Sequence, residues 1–216
     1  MVVRGYLTGV TSTSAWTAYQ NGDRNFCGNE LPDGMRKNEA FPEPIITPST
    51  KAAQGEHDES VAPSELYKRG AVDPGLYKEL ARISMKLYER GVARAAEHGM
   101  IFVDTKYEFG ISNGKIMLMD EVNTPDSSRY WIKDDYESRF EKGEEPRKLD
   151  KEYVRTWLSE QGFTGKGTPP KLTDDIRVEA SARYMEVVEK FTGEPMQLDV
   201  GPVDESIYSI LNPFAY

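Results

Sequence analysis

The sequence predicts an α+β fold in which helices flank an antiparallel sheet. Two long segments, Pro74 to His98 and Thr173 to Phe191, carry apolar residues at helical spacing. Between them, Asn113-Gly114 separates two apolar runs and is typical of a tight hairpin between strands. Helices on either side of paired strands indicate the mixed fold class.

Residues 1–63 are predicted to be rich in loops. The chain opens with the apolar, strand-like Met1 to Leu7, and Ile45 to Thr47 is a second, short strand candidate. Repeated prolines restrict φ and remove backbone donors, so no long helix is expected. These prolines are Pro32, Pro42, Pro44 and Pro48. Loops this long are unusual in a compact domain unless they bind something.

The central part of the chain is predicted to form a helix followed by strands. The helix from Pro74 has an apolar face and is expected to stop at Gly99. Its predicted inward-facing residues are Leu76, Leu80, Ile83, Leu87, Val92 and Ala95. Met100 to Val103 is then a buried strand, and Lys115 to Met119 follows the Asn-Gly turn.

The last third is predicted to hold two further helices. One runs from Asp150 to Gln161, and the other begins after Thr173, whose hydroxyl can cap it. The tail 193–216 is expected to be irregular. A length of 216 residues suits one large domain or two small ones, and we expect a single domain over 1–216.

The composition restricts the classes of partner. A formal net charge of −9 argues against a nucleic-acid surface, which needs a basic face. No apolar run reaches the roughly 18 residues of a membrane span, and no secretory signal is visible. Cys27 is the only cysteine, so no internal disulfide is expected and a reducing compartment fits. We therefore predict a cytoplasmic protein that binds neither nucleic acid nor membrane.

The segment DEVNTPDSSRYW, which starts at Asp120, carries the strongest functional pattern. Asp120 and Glu121 end an apolar run, and Mg²⁺ prefers carboxylate oxygens as ligands. A loop of hydroxyl and guanidinium groups is expected to follow, with Asp126, Ser128 and Arg129, and arginine can grip a phosphate through two parallel hydrogen bonds. A polar turn would explain Asp-Glu alone, but the whole string favours a metal ion held next to a phosphate.

A second pattern, Asp104-x-Lys106-x-Glu108, comes before the Asn-Gly turn. Strand alternation puts these side chains on one face, and the strand after the turn brings Asp120 towards that face. The pattern could be a surface ladder of ion pairs, which stabilises a fold very little. Alternatively, Glu108 and Asp120 bind Mg²⁺ and Lys106 neutralises a phosphate or carboxylate, a combination that suits phosphoryl transfer.

The first 60 residues hold two weaker candidates. Arg4 precedes the glycine turn of RGYLTG and the hydroxyl-rich TSTS that includes Ser12, an arrangement that suits an anion cradle. Lys51 lies before His57 and Asp58, and a neighbouring carboxylate can set the basicity of an imidazole. A histidine in a polar loop is more often inert, so the role of His57 stays open.

Together these strings resemble the SAICAR synthetase family of purine biosynthesis. The matching strings are RGYLTG, CGNELPDGM, TPSTKAAQGEHD, VDTKYEFG and DEVNTPDSSRYW, in the family's order over most of residues 2–158. TSTSAW and FCGNELPDGM are most similar to the longer subgroup of plants and some bacteria. The resemblance implies the larger, C-terminal lobe of such an enzyme, beside a nucleotide cleft of the ATP-grasp or kinase-like kind, with the N-terminal β-rich lobe absent.

The resemblance also implies an activity. Family members ligate L-aspartate to the carboxylate of the imidazole ribotide CAIR, giving SAICAR, and convert ATP to ADP and phosphate. A carboxylate is a poor electrophile for an amine, and phosphorylation to an acyl phosphate supplies a good leaving group. ATP and Mg²⁺ are the implied cofactors, and CAIR and L-aspartate are the implied substrates. Two protein partners stay open. One is a second copy of the chain, in a homo-oligomer, and the other is a separate N-terminal lobe.

Residue roles follow from the same resemblance. Lys106, Glu108 and Asp120 are implied to be catalytic and to bind the nucleotide, with Glu108 and Asp120 as the Mg²⁺ ligands. The implied substrate-binding residues are Arg4, Ser12, Lys51, His57, Asp58, Asp126, Ser128 and Arg129. Val10 stands where shorter relatives have a serine, so the phosphate-binding hydroxyl is expected from Thr11 to Ser14 or is absent.

Three functions therefore stay open at this point. The leading one is the ATP-dependent ligase. The second is a non-catalytic or partial ribotide-binding fragment that needs the missing lobe to use ATP. The third, taken without the resemblance, is a Mg²⁺-dependent phosphatase.

Overall fold

The fold is described here from a computed structural model, in which residues 1–11, 13–50, 59–163, 167–196 and 201–214 are described. The strands are β1 (Val2–Leu7), β2 (Asn25–Phe26), β3 (Asn29–Glu30), β4 (Glu39–Thr47), β5 (Met100–Lys106), β6 (Glu108–Ser112), β7 (Lys115–Met119) and β8 (Ser128–Ile132). The helices are α1 (Ala15–Gln20), α2 (Pro63–Lys68), α3 (Pro74–Glu97), α4 (Tyr136–Lys142), α5 (Glu152–Glu160), α6 (Asp174–Thr192) and α7 (Val203–Leu211), followed by a 3₁₀ turn at Asn212–Phe214.

A four-stranded sheet in the order β4-β1-β5-β8 forms the centre of the described structure, and each neighbouring pair is antiparallel. Helix α3 packs on this sheet, with Tyr88 and Phe102 stacked at a ring distance of 5.2 Å. The predicted α+β class, with an antiparallel sheet flanked by helices, is confirmed.

Strand β4 is longer than the predicted Ile45 to Thr47 and runs through two prolines. It lies at the edge of the sheet and pairs with β1. The register shifts between Arg4 and Tyr6, so Pro42 and Pro44 fall within a bulge where ladder bonds are not needed. An edge position and a bulge together explain why proline does not end this strand.

The Asn113-Gly114 turn joins β6 to β7 as a separate two-stranded sheet. The predicted hairpin is therefore confirmed, but its first strand is β6. The predicted strand from Met100 belongs to β5, which pairs with β1 and β8 instead. The predicted loop of serines and arginine is wrong from Ser128 onward, because this stretch pairs with β5 as β8.

Helix α3 begins at the predicted Pro74, where the Asp73 side chain accepts from the backbone of the first turn, and Gly99 follows it with φ 69°. Its predicted face is only partly right. The buried residues are Ser84, Tyr88, Gly91 and Ala95, whereas Val92 is exposed. A Cβ at position 91 would lie 2.6 Å from the Phe102 ring, so a residue without a side chain sets how closely the helix approaches.

Helix α6 begins as predicted, with the Thr173 hydroxyl accepting from Ile176 N at 3.4 Å. The stretch after Gly193 departs from the irregular tail that we expected, because α7 lies within it. Among the residues that the structure describes, no helix is both long and apolar enough to cross a bilayer.

Candidate active site

A cleft of about 340 Å³ lies where β1, β5 and β8 meet the start of α5. Its charged lining residues are Arg4, Asp104, Lys106, Glu121, Asp126, Arg129, Lys151, Glu152 and Arg155. Five of these are cations and four are carboxylates, although the whole chain has a net charge of −9. The local excess of cations suits an anionic ligand.

Two arginines of the cleft share one buried carboxylate. Arg4 Nη1 lies 3.2 Å and Arg129 Nη1 2.5 Å from Oδ2 of Asp104. The sheet register creates this arrangement, because Asp104 is the cross-strand partner of Arg4 on one side and of Arg129 on the other. Both predicted phosphate-binding arginines are thus fixed in adjacent positions by the central strand.

A second buried carboxylate extends this arrangement. Oε1 of Glu152 lies 3.2 Å from Arg129 Nη2 and 2.7 Å from Arg155 Nη1. We call the alternating series Arg4, Asp104, Arg129, Glu152 and Arg155 the charged row. Neutralisation outweighs burial at Glu152 and Arg129, whereas burial lowers the pKa of Arg4 below its ordinary value. Burial opposes the ionisation of Glu152, but Arg129 and Arg155 lower its pKa below the ordinary value.

Arg129 stays charged for the same reason. Burial disfavours its cationic form, but the carboxylates of Asp104, Glu152 and Asp150 raise its pKa above the ordinary value. Its Nε is buried and has no acceptor in the described part of the chain. The side chain is only 16% exposed, so its position is set mainly by the carboxylates around it.

Asp150 joins β8 to the start of α5. Its Oδ2 accepts from Tyr130 N at 3.1 Å, and its Oδ1 accepts from Glu152 N at 2.8 Å. Burial raises the pKa of the Asp150 carboxyl to about 6, although these hydrogen bonds and Arg129 oppose the shift. One carboxyl therefore places the Glu152 backbone next to the strand that carries Arg129.

Asp150→Asn is expected to change how stability depends on pH. The pKa of the Asp150 carboxyl is about 6 in the folded protein and 3.8 in the unfolded chain. Between these two pH values the folded protein keeps a proton that the unfolded chain has released. Protonation therefore stabilises the folded state at low pH. This stabilisation is fully present below pH 3.8 and is lost as the pH rises through about 6, and a gap of about two units corresponds to at most about 3 kcal/mol. The amide does not titrate.

Urea unfolding of both proteins at pH 4, 5 and 7 checks this. The difference in unfolding free energy should move in favour of the variant as the pH rises. A difference that stays constant across these pH values would contradict the raised pKa.

Hydroxyl groups line part of the cleft beside the arginines. Ser128 Oγ donates to Thr105 Oγ1 at 2.8 Å across the β5–β8 pair, and both residues are buried. In the predicted hydroxyl-rich turn, Thr11, Thr13 and Ser14 line the cleft. Ser14 Oγ accepts from Thr17 N at 3.3 Å and caps α1, so Thr11 and Thr13 are the better phosphate-binding candidates.

The structure brings several of the predicted site residues into this cleft. Arg4, Lys106, Ser128 and Arg129 line it. Asp126 lines it as well, with Oδ1 3.3 Å from the Tyr184 hydroxyl and 3.6 Å from Lys151 Nζ. Four predicted residues lie outside the described part of the chain, namely Ser12, Lys51, His57 and Asp58.

The predicted metal ligands lie at the base of the β6–β7 hairpin. Glu108 is the cross-strand partner of Met119, and Asp120 comes next along the chain with φ 64°, which ends the strand. Lys106 lines the cleft, and its Nζ lies 2.7 Å from Glu108 Oε1, so it links the cleft to the hairpin.

Glu108 and Asp120 stay the predicted Mg²⁺ ligands. Within the described ranges there is no group of three or more His, Cys, Asp or Glu residues arranged to hold a metal ion. Mg²⁺ does not require one, since it is commonly bound through one or two carboxylates, with waters and substrate phosphates as the remaining ligands.

Several residues of the cleft were not predicted. Asp104 was noted only as part of a strand pattern, and Lys151, Glu152 and Arg155 were not singled out. The spacing of Lys151 and Arg155 at the start of a predicted helix was the available signal, because residues four apart lie on one helix face. Their partners on β8 could not be identified from that spacing.

Comparisons with known proteins agree on one family. The family model for SAICAR synthetase matches residues 1–171. The phosphoribosylaminoimidazole-succinocarboxamide synthase of Bacteroides thetaiotaomicron is 53% identical over 196 residues, which are 90% of this chain and 61% of that protein. The chloroplastic synthase of Arabidopsis thaliana is 44% identical over 209 residues, which are 96% of this chain and 50% of that protein.

A solved structure shows the same architecture. The SAICAR-synthase of Saccharomyces cerevisiae, determined in complex with SAICAR, matches with a TM-score of 0.72 and 36% identity, over 91% of this chain and 60% of that one. The chain thus spans about three fifths of the length of the Bacteroides and yeast proteins.

Proposed function

Because the chain belongs to the SAICAR synthetase family, we propose that it takes part in the ATP-dependent ligation of L-aspartate to the carboxylate of CAIR. The products are SAICAR, ADP and phosphate, in the de novo synthesis of purines. The observation that carries this proposal is the pair Arg4 and Arg129, which Asp104 holds side by side in a cleft lined in part by hydroxyl groups. A ribotide phosphate needs donors of this kind.

The cleft is the proposed ribotide site. A guanidinium carries five N–H donors, and the contacts to Asp104, Thr47 and Glu152 use only some of those on Arg4 and Arg129. The remaining N–H donors can bind phosphate oxygens, together with the hydroxyl groups that line the cleft. The yeast relative was solved with SAICAR bound, and this supports SAICAR as a ligand of the present chain.

The base of the hairpin is the proposed nucleotide end of the site. Glu108 and Asp120 would hold Mg²⁺, and the ion would supply charge neutralisation for the ATP phosphates. Lys106 lies between this pair and the cleft, where an ammonium group can neutralise the phosphate that is transferred.

The proposed reaction has two steps. The CAIR carboxylate attacks the γ-phosphorus and ADP leaves, which gives an acyl phosphate. The amine of aspartate then attacks the acyl carbon, phosphate leaves, and the nitrogen loses a proton to complete the amide. Positioning and charge neutralisation by the residues above are the protein's contribution to the first step.

The second candidate function is that of a chain that binds the ribotide but needs a further polypeptide segment in order to use ATP. The exposed methionines of the hairpin favour it, because Met117 is 50% and Met119 45% exposed on the hairpin face that also carries Glu108. Exposed apolar groups of this kind commonly mark a surface that another segment covers.

A cytoplasmic location and a homo-oligomer stay predictions.

Turnover and binding by the full-length protein test these functions. ADP release that requires Mg²⁺, CAIR and aspartate together would support the ligase. Calorimetry that finds CAIR binding but no affinity for ATP or ADP would favour the second candidate. Phosphate release from a simple phosphomonoester without ATP would contradict both and support a phosphatase.

Arg129→Lys is expected to weaken CAIR binding by about 1–3 kcal/mol. Lysine keeps the positive charge, but it cannot hold two carboxylates and a phosphate at once through a planar fork. Calorimetry with the full-length protein gives the affinity, and Arg177→Lys, in an exposed pair with Asp174 on α6, is the control. Unchanged CAIR affinity in the Arg129 variant would count against its phosphate role.

A further inference from the structure

Arg155 stands at the outer end of the charged row and has no role in the proposal above. It lies in the first turn of α5, lines the cleft and is 42% exposed. Arg4 and Arg129 are only 11% and 16% exposed. Arg155 is therefore the most accessible guanidinium of the row.

Its carboxylate partner is unlike those of ordinary surface arginines in this chain. Arg177 and Arg82 each form an i,i+3 pair with an acid that is itself exposed, at 93% for Asp174 and 44% for Glu79. Glu152, in contrast, is 2% exposed. An exposed arginine anchored to a buried carboxylate has a defined position, whereas a surface pair is loosely held.

Glu152 also brings two cations together. The same oxygen, Oε1, contacts both Arg129 and Arg155, and without this carboxylate the two guanidinium groups would repel each other. The Glu152 backbone is in turn fixed by Asp150 at 2.8 Å. A charged side chain with almost no exposure is costly to keep in a fold, so a role beyond stability is consistent with its presence.

We propose, resting on the proposed function, that Arg155 binds an oxyanion of a substrate in the cleft and that Glu152 is the residue that positions it. The oxyanion is either the phosphate of the ribotide or a carboxylate of the amino acid. Each of them offers two anionic oxygens to the paired N–H donors of a guanidinium. Arg155 touches the substrate, and Glu152 acts through Arg155.

Two small anions test the role of Arg155 without any need for turnover. Inorganic phosphate and succinate are titrated by calorimetry into the full-length protein, the Arg155→Gln variant and an Arg177→Gln control. Arg155→Gln should lose about tenfold or more in affinity for one of the two, the scale of a lost charged hydrogen bond. Loss for phosphate assigns Arg155 to the ribotide end, and loss for succinate assigns it to the amino-acid end.

Unchanged affinity for both anions in Arg155→Gln, or an equal loss in the Arg177→Gln control, would overturn the proposal. So would a wild-type protein that binds neither anion. Absence of ligase turnover would refute the proposed function alone, since these titrations do not depend on it. In an active enzyme, the same variant should raise the KM for the substrate that carries the assigned anion.

The positioning role of Glu152 is tested by combining variants. Glu152→Asp keeps the charge but withdraws it by one methylene, and Glu152→Gln keeps the shape but removes the charge. Each should weaken the same anion as Arg155→Gln. Adding Glu152→Asp to Arg155→Gln should weaken binding little further, because both changes remove one interaction.

Additive losses in the double variant would show that Glu152 does not act through Arg155 and would overturn its positioning role. Should Glu152→Gln fail to fold because two cations are left unpaired, the Glu152→Asp comparison still decides. A merely structural role predicts lower thermal stability with unchanged anion affinity in the folded protein.

Discussion

Replacing Asp120 with asparagine is expected to lower ATP-dependent turnover by at least about a hundredfold. Asparagine has nearly the same shape, but it lacks the negative charge that a Mg²⁺ ligand supplies. The substitution should leave folding intact, because Asp120 is exposed and asparagine tolerates its φ of 64°.

ADP release by the full-length protein measures the effect, and thermal unfolding verifies that the fold is kept. The matched control is Asp134→Asn, an exposed carboxylate that does not line the cleft. Raising the Mg²⁺ concentration should recover part of the activity if the variant binds the metal more weakly. Near-normal turnover at ordinary Mg²⁺ would discard Asp120 as a metal ligand.

Asp104→Asn is expected to destabilise the folded protein by about 3–5 kcal/mol. The carboxylate is 4% exposed and neutralises both Arg4 and Arg129. Its loss leaves two largely buried guanidinium groups next to each other with much less compensation. Inorganic phosphate should stabilise this variant more than the wild type, since an added anion takes over part of the lost charge.

Urea unfolding gives the stability difference. The control is Asp33→Asn, which breaks an Arg–Asp pair of similar geometry, 2.7 Å from Arg24, in which Asp33 is 91% exposed. Solvent screens that pair, so its loss should change stability little. A loss below about 1 kcal/mol for Asp104→Asn would mean that Arg4 and Arg129 do not depend on Asp104 for charge compensation, contrary to what their burial implies.

Local patterns were sufficient to predict α3, α5, α6 and the hairpin turn, but they did not predict the shorter helices α1, α2, α4 and α7. Helical spacing, the Thr173 cap and the glycine after α3 identified α3 and α6 closely. The buried face of α3 was only partly identified. Tyr88 reaches the Phe102 carbonyl at 2.8 Å, and Gly91 lets that ring approach, so a tertiary contact determined which side faces inward.

The site was predicted less completely than α3, α5 and α6, because its residues lie far apart along the chain. Arg4 and Asp104 lie 100 residues apart, and only the β1–β5 pairing makes them partners. No spacing within a single segment carries that information. Resemblance placed Arg4 and Arg129 in one site, but the carboxylates that fix them, Asp104 and Glu152, became apparent only from the register of the sheet and the start of α5.

The prolines in β4 have a consequence for association between molecules. An outer strand presents backbone groups to which another polypeptide can add, and this is a common route to aggregation. At Pro42 and Pro44 the chain offers no N–H to an incoming strand, and the bulge there bends the backbone away from a straight ladder. A strand from another molecule therefore cannot pair continuously with β4, and this protects the exposed edge of the sheet from intermolecular β-sheet formation.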